Sequence, residues 1–473
     1  MIFGKKQPVL GVIFGNRGFF PDSLVEEGRR RMLAALTASG VRAVVLGVED
    51  TKCGAVETRE DAVKCAELFK NHAEEIDGIL VSLPNFGDER AAADAIRLSG
   101  LNVPVLVQAF PDEPGKLDPD HRRDSFCGKI SLCNNLIQYG IPFTNTSLHV
   151  EAPESPEFKR DLENFLAVCR VVKGVRNLRL GAVGARPAAF NTVRFSEKLL
   201  ERYGISVETV DLSEIIAQAQ ALDSRATGVA REVSLLRETF DPQGIPDEAL
   251  EKMAKFSVAL RTWIEETKVN AIALQCWTAL EQLYGIVPCA VMSLLSESGI
   301  PSACETDVMG ALSMYVLQLG AQAPAALMDW NNNFGNDPNK VILFHCSNIP
   351  YSFFSRCTMS YQHIIAGTVG KENTFGTVVG KVAPGSATFL RLSTMDVEGA
   401  IAGIVAEGRF TEDEVETFGG YGVAEIFGLS DLLHVLVRHG FEHHVAVVKA
   451  SVGEAIKEAL EKYLCWKVLY TNV

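Results

Sequence analysis

The feature that most constrains the fold is an alternation of short apolar runs with longer helix-like segments along the first 350 residues of this 473-residue chain. The first apolar run covers residues 9–14, and a helical pattern follows from about Asp22 until Gly40 ends it. Strands and helices that alternate in this way form parallel sheets with helices on both faces. We therefore predict two tandem doubly wound α/β domains for this part of the chain.

The pattern changes at two places, and these predict the domain boundaries. An acidic stretch with two prolines, residues 151–157, leads out of the first α/β unit, and the alternation begins again at residues 178–183. Beyond about residue 350, short runs separated by glycine predict a mainly antiparallel, barrel-like β-domain. The predicted domains are an N-terminal α/β domain (1–170), a central α/β domain (171–350) and a C-terminal β-rich domain (351–473).

Composition excludes several classes of function. The net charge is −14 and no basic stripe is present, which argues against a nucleic-acid partner. No apolar run reaches the roughly 18 residues of a membrane span, and residues 1–8 become polar too early for a signal peptide. The eleven cysteines form no Cys-x-x-Cys pair and lie mostly in apolar runs, which indicates reduced, buried thiols. We expect a cytoplasmic protein without a membrane partner.

Four polar residues at the ends of apolar runs are candidates for chemistry: Glu305, Asp329, His345 and His444. Open α/β sheets bind their ligands at the carboxyl ends of strands, where we expect these side chains to lie. Two carboxylates and two imidazoles suit a divalent cation that accepts both oxygen and nitrogen, Mn²⁺ more than Ca²⁺ or Mg²⁺.

Each of these residues also has a purely structural interpretation. Glu305 could precede a helix whose N-cap is Thr306, where the helix dipole favours a carboxylate. Asp329 could open the asparagine-rich turn that follows it. The two histidines could be hydrogen-bonded core residues. Only the joint placement of the four favours a metal site.

Four segments together carry a resemblance to a known family. In order and in approximate spacing, they resemble the active-site segments of the L-fucose isomerase and L-arabinose isomerase superfamily; they are residues 304–312, 327–334, 341–347 and 443–448. The resemblance extends over residues 175–473, and reaches the first unit only in its βα pattern and the turn at residues 15–18. It implies three domains, a homohexamer assembled from trimers, and a Mn²⁺-dependent aldose–ketose isomerase.

The resemblance also implies roles for individual residues. Glu305, Asp329 and His444 match the metal ligands, and His345 matches a histidine that completes the arabinose-type site. The two carboxylates match the acid/base pair. Asp329 stands where the arabinose branch has Glu and the fucose branch has Asp, so the chain combines features of both branches. In this family the first domain of a neighbouring subunit helps to close the pocket, so Arg17 is a substrate-binding candidate, although it is equally a solvated loop arginine.

Four further residues are predicted to contact a sugar because they adjoin these strand ends: Gln275, Trp277, Trp330 and Asn331. The chemistry agrees with the residue types, since moving a carbonyl between neighbouring carbons needs a base, and a metal that stabilises the enediolate charge lets a bound carboxylate serve as that base. We predict isomerisation of a free sugar through an enediol, with L-fucose, D-arabinose, L-arabinose or a C6-modified hexose such as sulfoquinovose as substrate. Arg186, Arg17 and Lys129 are candidate cations for a sulfonate. The alternative is a non-catalytic sugar-binding or regulatory protein on the same frame.

Overall fold

The first part of the chain forms a five-stranded parallel sheet covered by helices on both faces. In the computed structural model, which describes residues 6–471, the strand order is β2-β1-β3-β4-β5. The strands are β1 (Val9–Phe14), β2 (Arg42–Val44), β3 (Gly78–Leu83), β4 (Val105–Ala109) and β5 (Thr144–Asn145). The helices are α1 (Asp22–Ala38), α2 (Arg59–Asn71), α3 (Glu89–Ser99), α4 (Ser125–Gln138) and α5 (Pro156–Arg176). Successive residues of β1 enter two separate apolar clusters, because side chains alternate between the faces of a strand.

A four-stranded parallel sheet follows, in the order β7-β6-β8-β9. Its strands are β6 (Arg179–Val183), β7 (Ser206–Val210), β8 (Ala271–Leu274) and β9 (Ser302–Cys304). The helices of this part are α6 (Glu197–Arg202), α7 (Leu212–Ala221), α8 (Thr227–Phe240), α9 (Asp247–Thr267), α10 (Ala279–Leu283), α11 (Cys289–Glu297) and α12 (Val308–Ala321). The expectation of two parallel α/β sheets is thus confirmed.

The remaining strands form a mixed nine-stranded sheet, six of whose strands close into an antiparallel ring in the order β16-β11-β10-β17-β14-β15. The ring strands are β10 (Ala325–Asn333), β11 (Lys340–His345), β14 (Gly385–Met395), β15 (Ala400–Phe410), β16 (Gly420–Glu425) and β17 (His444–Val448). The other strands are β12 (Phe354–Tyr361), β13 (Phe375–Val382) and β18 (Lys467–Thr471), and the helices are α13 (His363–Val369), α14 (Leu429–His439) and α15 (Gly453–Glu458). This ring is the barrel that the glycine-separated pattern predicts.

One expectation about these strands is wrong. The apolar runs that lead to Asp329 and His345 were expected to continue the central parallel sheet, but β10 and β11 pair antiparallel within the barrel. Parallel neighbours need a crossover of a dozen or more residues, whereas residues 334–339 join β10 to β11 as a short hairpin loop.

By its internal contacts the chain divides into two compact units. One contains residues 6–173 with 462–465, and the other contains 174–461 with 466–471. The four-stranded sheet and the barrel therefore belong to one unit. The division at residues 170 and 350 stays a prediction.

Two expectations from composition concern membrane segments and the cysteines. Within residues 6–471 no helix has both the length and the apolar character that a membrane crossing requires. Residues 1–5, which carry most of the argument about a signal peptide, lie outside the described residues.

All eleven cysteines are free, but Cys127 and Cys465 are exposed rather than buried.

Candidate active site

A strained turn after β9 positions the first carboxylate. Glu305 and Thr306 both adopt left-handed backbone conformations, with φ of 59° and 56°, and each costs about 1 kcal/mol or more for a residue with a Cβ. The turn is held because the Thr306 N–H donates to the Leu274 carbonyl oxygen at 3.2 Å. Asp307 then begins α12 as its N-cap, with Oδ1 accepting from the Gly310 N–H at 2.8 Å. The N-cap is therefore Asp307 and not Thr306.

Strand register brings Asp329 and His444 to the same place. They are directly opposite each other in the β10–β17 pairing, and cross-strand partners share one face of a sheet. His444 Nε2 lies 3.4 Å from Asp329 Oδ1 and 3.1 Å from Glu305 Oε2. His345 Nε2 lies 4.0 Å from the same Glu305 oxygen. The structure thus brings together all four residues that the sequence proposes as metal ligands.

The chemistry of this cluster fits a cation. Glu305 Oε2 and Asp329 Oδ1 are buried, and apart from the contacts with His444 given above, neither oxygen has a hydrogen-bond partner among the described side chains and backbone. Leaving such oxygens unsatisfied is unfavourable unless a positive charge lies between them. Two groups of ligand atoms share His444, one with Glu305 and His345 and the other with Asp329 and His443, and in each the atoms lie within 4.8 Å of one another.

A buried ion-pair network orients the shared histidine. His444 Nδ1 lies 2.8 Å from Asp307 Oδ2, which leaves Nε2 to face the two carboxylates. The Arg391 guanidinium donates to Asp307 Oδ2 at 2.5 Å and to Oδ1 at 3.1 Å, and its Nε donates to Glu442 Oε2 at 2.9 Å. Arg391 and Asp307 are fully buried. A carboxylate on the second nitrogen of a metal-binding histidine fixes both its tautomer and its orientation.

Sequence reasoning missed this network. A signal was present, because Arg391 interrupts the apolar run of β14 at residues 387–392 and a buried arginine needs a carboxylate partner. The sequence did not reveal which carboxylates would meet it, since Asp307 and Glu442 lie far from it along the chain.

The electrostatics separate the two candidate acid/base residues. Burial raises the pKa of the Glu305 carboxyl, but His444 and His345 outweigh it and hold this pKa below its usual range. Burial also raises the pKa of Asp329, and at this residue the effect of burial exceeds the lowering effect of His345 and His444. Burial lowers the pKa of His444, yet Asp307 and Glu305 raise it to about 10. The metal-free cluster is therefore a set of carboxylates balanced by protonated imidazole, which a metal ion must deprotonate in order to bind.

An aromatic group borders the carboxylates. The Trp277 indole N–H donates to Glu305 Oε1 at 3.1 Å. The ring of Phe190 lies 6.1 Å from Trp277 and 5.5 Å from His444, measured between centroids. His443, which the sequence analysis did not propose, packs against both Phe190 and His444. Nothing in the sequence placed Phe190 here, because it belongs to an irregular segment more than 80 residues before the nearest of these partners.

The other proposed sugar contacts have different surroundings. The Gln275 side-chain oxygen accepts from the Ala185 N–H at 2.9 Å and holds that loop. Trp330 lies on the opposite face of β10 from Asp329, since adjacent strand residues alternate, and packs 5.9 Å from Phe389. Its expected sugar contact stays a prediction. Asn331 is exposed at a bulge where the β10–β11 register shifts.

Arg17 is placed within the first unit. Its guanidinium donates to the Gly87 carbonyl oxygen at 2.9 Å, pairs with Glu89 and lies 4.1 Å from the centre of the Phe86 ring. Arg17 is thus anchored rather than loosely solvated, and its contact with a neighbouring subunit stays a prediction.

Comparison with known proteins identifies the family of this chain. Residues 11–176 match the family model described as the fucose/sulfoquinovose isomerase N-terminal domain, and residues 343–472 match the L-fucose isomerase C-terminal domain. The chain is a divergent member of this family. Sulfoquinovose isomerases of Priestia aryabhattai and Priestia megaterium are each 25% identical to it over 417 residues, 86% of this chain and 89% of theirs. The sulfoquinovose isomerase of Alkalicoccus urumqiensis is 26% identical over 365 residues, 76% of this chain and 78% of its own. The expected enzyme class, an aldose–ketose isomerase, is thereby confirmed.

The buried network leads to a stability prediction. Arg391→Met should remove the charge that compensates both Asp307 and Glu442, leaving Asp307 with His444 and Glu442 with Ser393 and a 3.6 Å contact to Arg194, and should lower the free energy of unfolding by about 3–5 kcal/mol. Arg409→Met is the matched control, because Arg409 pairs with Glu425 at the surface and such a pair contributes about 1 kcal/mol or less. Urea unfolding followed by circular dichroism measures both variants. Equal midpoints for the two variants would contradict the prediction.

Proposed function

We propose that this protein is a metal-dependent aldose–ketose isomerase that acts on a free sugar through an enediol intermediate. The observation that carries the proposal is the pair of buried carboxylate oxygens, on Glu305 and Asp329, that face His444 without hydrogen-bond partners in the described structure. Glu305, Asp329 and His444 would hold the metal, with His345 as a fourth donor. Mixed carboxylate and imidazole ligands suit Mn²⁺ or a related divalent ion. When bound, such an ion stabilises the negative charge that develops on the sugar oxygens.

The two carboxylates can perform the proton transfers. Converting an aldose to a ketose removes a proton from C2 and returns one to C1, while a second proton moves from O2 to O1. The Trp277 N–H donates to Glu305 Oε1, while Oε2 has no hydrogen-bond partner among the described residues and faces the site. Asp329 has one unpartnered oxygen, Oδ1, in the same way. Both carboxylates would stay ionised beside a bound divalent ion, whereas proximity alone would raise the pKa of one of them.

Neighbouring side chains would orient the sugar. Trp277 and Phe190 place apolar ring surface beside the carboxylates, and such surface packs against the C–H face of a sugar. Gln275 fixes the loop that carries Phe190, through its bond to Ala185, and Asn331 is exposed at the bulge that follows Asp329. These residues are proposed to position the substrate, while the carboxylates move the protons.

The relatives favour a sulfonated sugar as substrate. Three matched relatives are sulfoquinovose isomerases, and the alignment with two of them covers most of both chains. Arg186 is the cation best placed to meet the sulfonate, because it is half-buried in the loop that also carries Phe190. One of its N–H groups is used by the Pro187 carbonyl oxygen at 2.9 Å, and a guanidinium offers five.

The other two candidate cations, Lys129 and Arg17, already form hydrogen bonds or ion pairs within the first unit. Lys129 is buried and donates to Thr146 Oγ1 at 2.7 Å and to the His149 carbonyl oxygen at 3.0 Å. Arg17 is held by Glu89 and Gly87. We therefore propose Arg186 ahead of them.

The proposal includes a homo-oligomer, a hexamer or another trimer-based assembly, in the cytoplasm. An apolar patch on α4 supports association, because Phe126, Ile130 and Ile137 are each more than half exposed. Exposed apolar patches of this kind mark interaction surfaces.

The catalytic assignment predicts the effect of removing each carboxylate. Glu305→Gln and Asp329→Asn should fold normally and lower kcat by about 10²–10⁴, the usual contribution of a general acid or base. Glu416→Gln, an exposed loop residue, is the control and should leave kcat unchanged. Chelator should abolish turnover, and Mn²⁺ should restore it. A protein that binds sugar but contains no metal by elemental analysis, and that shows no turnover with Mn²⁺, would be the non-catalytic sugar binder instead.

The substrate assignment predicts a pattern in product NMR. With Mn²⁺ present, sulfoquinovose should be converted faster than L-fucose, D-arabinose or L-arabinose. Arg186→Met should raise KM for the sulfonated sugar at least about tenfold, the effect of losing one charged hydrogen bond, with little change for a neutral sugar. Lys173→Met, a surface residue of the first unit, is the control. An equal rise in KM for charged and neutral sugars would mean that Arg186 does not bind the sulfonate.

The assembly predicts a mass well above that of one chain. Sedimentation equilibrium should give a multiple of 51.5 kDa, three or six. Ile130→Glu should shift the distribution towards smaller species, because it places a charge in the α4 patch. A wild-type protein of a single chain mass would exclude the oligomer and leave the catalytic assignment unaffected.

A further inference from the structure

A segment with little regular structure lies against the candidate active site, between β6 and α6. It covers residues 185–195 and contains one short helical turn. Near its middle, the ring of Phe190 packs against the imidazoles of His443 and His444, at 5.4 and 5.5 Å between centroids. The same ring lies 6.1 Å from the ring of Trp277. We call residues 185–195 the strap.

Both ends of the strap are fixed to neighbouring elements. At the first end, the Ala185 N–H donates to the side-chain oxygen of Gln275 at 2.9 Å. At the second end, the side chain of Val193 is fully buried, and the Ser196 N–H donates to Thr394 Oγ1 at 3.1 Å just beyond the strap. The ends of the strap are therefore held in place whatever its middle does.

The middle of the strap is held much less firmly. Every hydrogen bond that the described structure gives to residues 186–193 stays within the strap, such as the one from the Phe190 N–H to the Pro187 carbonyl oxygen at 2.9 Å. Exposed residues of the strap are Ala185, Ala188, Ala189 and Asn191. Exposed segments with few hydrogen bonds to their surroundings open at a low free energy. The packing of Phe190 on the site is thus the main contact that holds the middle of the strap.

An arginine near the end of the strap reaches the buried ion-pair network. Arg194 Nη1 lies 3.6 Å from Glu442 Oε1, and its Nε lies 3.6 Å from Asp396 Oδ2. Both distances exceed that of a hydrogen bond, so these ion pairs are loose enough to separate and form again. Glu442 also accepts from Arg391 Nε at 2.9 Å, in the network that orients His444. The strap is therefore tied to the same network as the candidate metal ligand.

A glycine stands where the strap leaves β6. Gly184 has a φ of 81°, in the left-handed region that residues with a Cβ rarely adopt. A Cβ at this position would lie 2.8 Å from Gln275 Cβ and 3.2 Å from Leu212 Cβ. Only glycine permits this sharp turn without strain, and a small residue at the end of an element is a common hinge.

We propose that the strap is a lid over the candidate active site. It opens about Gly184, with loss of the Arg194 ion pairs, and closes again with Phe190 over the carboxylates. The inference rests on the proposed isomerase function. The side chains of Glu305 and Asp329 are 13% and 23% exposed, so little of either carboxylate is open to a sugar while the strap is closed. The closed strap keeps water away from the proton that a carboxylate moves between C2 and C1.

Fluorine NMR of Trp277 tests the opening of the strap without a sugar. The full chain is labelled with 5-fluorotryptophan, and Trp277→Phe assigns one resonance among the four tryptophans. Lid motions take μs to ms, so we expect exchange broadening of the Trp277 resonance. Arg194→Met should increase the broadening or shift the resonance, because it removes the ion pairs of the strap.

Arg202→Met is the matched control for this measurement. The Arg202 guanidinium donates to the Gly399 carbonyl oxygen at 3.2 Å at the surface, outside the strap. This variant should give the Trp277 resonance of the wild type. A Trp277 resonance that Arg194→Met leaves unchanged in width and position would overturn the proposal.

Isotope transfer tests the closed state of the strap. Sulfoquinovose with deuterium at C2 is converted in ordinary water with Mn²⁺, and product NMR gives the fraction of the deuterium that arrives at C1. Phe190→Ala should lower this fraction, because water then exchanges with the deuteron on the carboxylate before it is returned. Phe427→Ala, a phenylalanine after β16 that is 65% exposed, is the control and should keep the wild-type fraction. Equal fractions in the wild type and Phe190→Ala would contradict a closed lid.

The two measurements separate the lid from the isomerase activity. If sulfoquinovose is isomerised while Arg194→Met leaves the Trp277 resonance unchanged, the lid is refuted and the isomerase assignment stands. If no sugar is turned over while the Trp277 resonance responds to Arg194→Met, the proposed function is refuted and the opening of the strap is supported.

Discussion

The contact between Asp307 and His444 is the interaction on which the site depends. Asp307 has three tasks at once, since it caps α12, receives the Arg391 guanidinium and fixes Nδ1 of His444. Three parts of the fold, namely the turn after β9, strand β14 and strand β17, therefore meet at one carboxylate. Because the group is fully buried, each partner must be present for the others to be tolerated.

Charge balance explains why this arrangement suits a cation. Arg391 compensates Asp307 and Glu442, so it is not available to the carboxylates of Glu305 and Asp329. Among the described residues, the imidazoles of His345 and His444 face those two carboxylates. Burial lowers the pKa of His345, but Cys346, followed by Asp329 and Glu305, raises it to about 9. A divalent ion can take over this balance and release the imidazoles as neutral ligands.

Much of the architecture could be predicted because alternation and glycine spacing are local signals. The parallel sheets, the barrel and the convergence of Glu305, Asp329, His345 and His444 were all within reach of such signals. The sheet to which β10 and β11 belong could not be predicted in this way, because a short apolar run has the same appearance in a parallel and in an antiparallel sheet. The capping residue was missed because Thr306 and Asp307 are both good caps and stand next to each other. The position of Trp330 relative to Asp329 follows from strand alternation, which places neighbouring residues on opposite faces, and its contact with a sugar stays a prediction.

The cross-strand pairing of Asp329 with His444 gives the tandem histidines at 443 and 444 a further meaning. Side chains alternate along β17, so the register of one strand against its neighbour decides which imidazole meets Asp307 and Glu305. A slip by a single residue would offer the site a histidine of the same chemistry but without the Asp307 contact that orients it. Which of the two histidines becomes the ligand thus depends on the register with which β17 closes the barrel as much as on the amino acid at position 444.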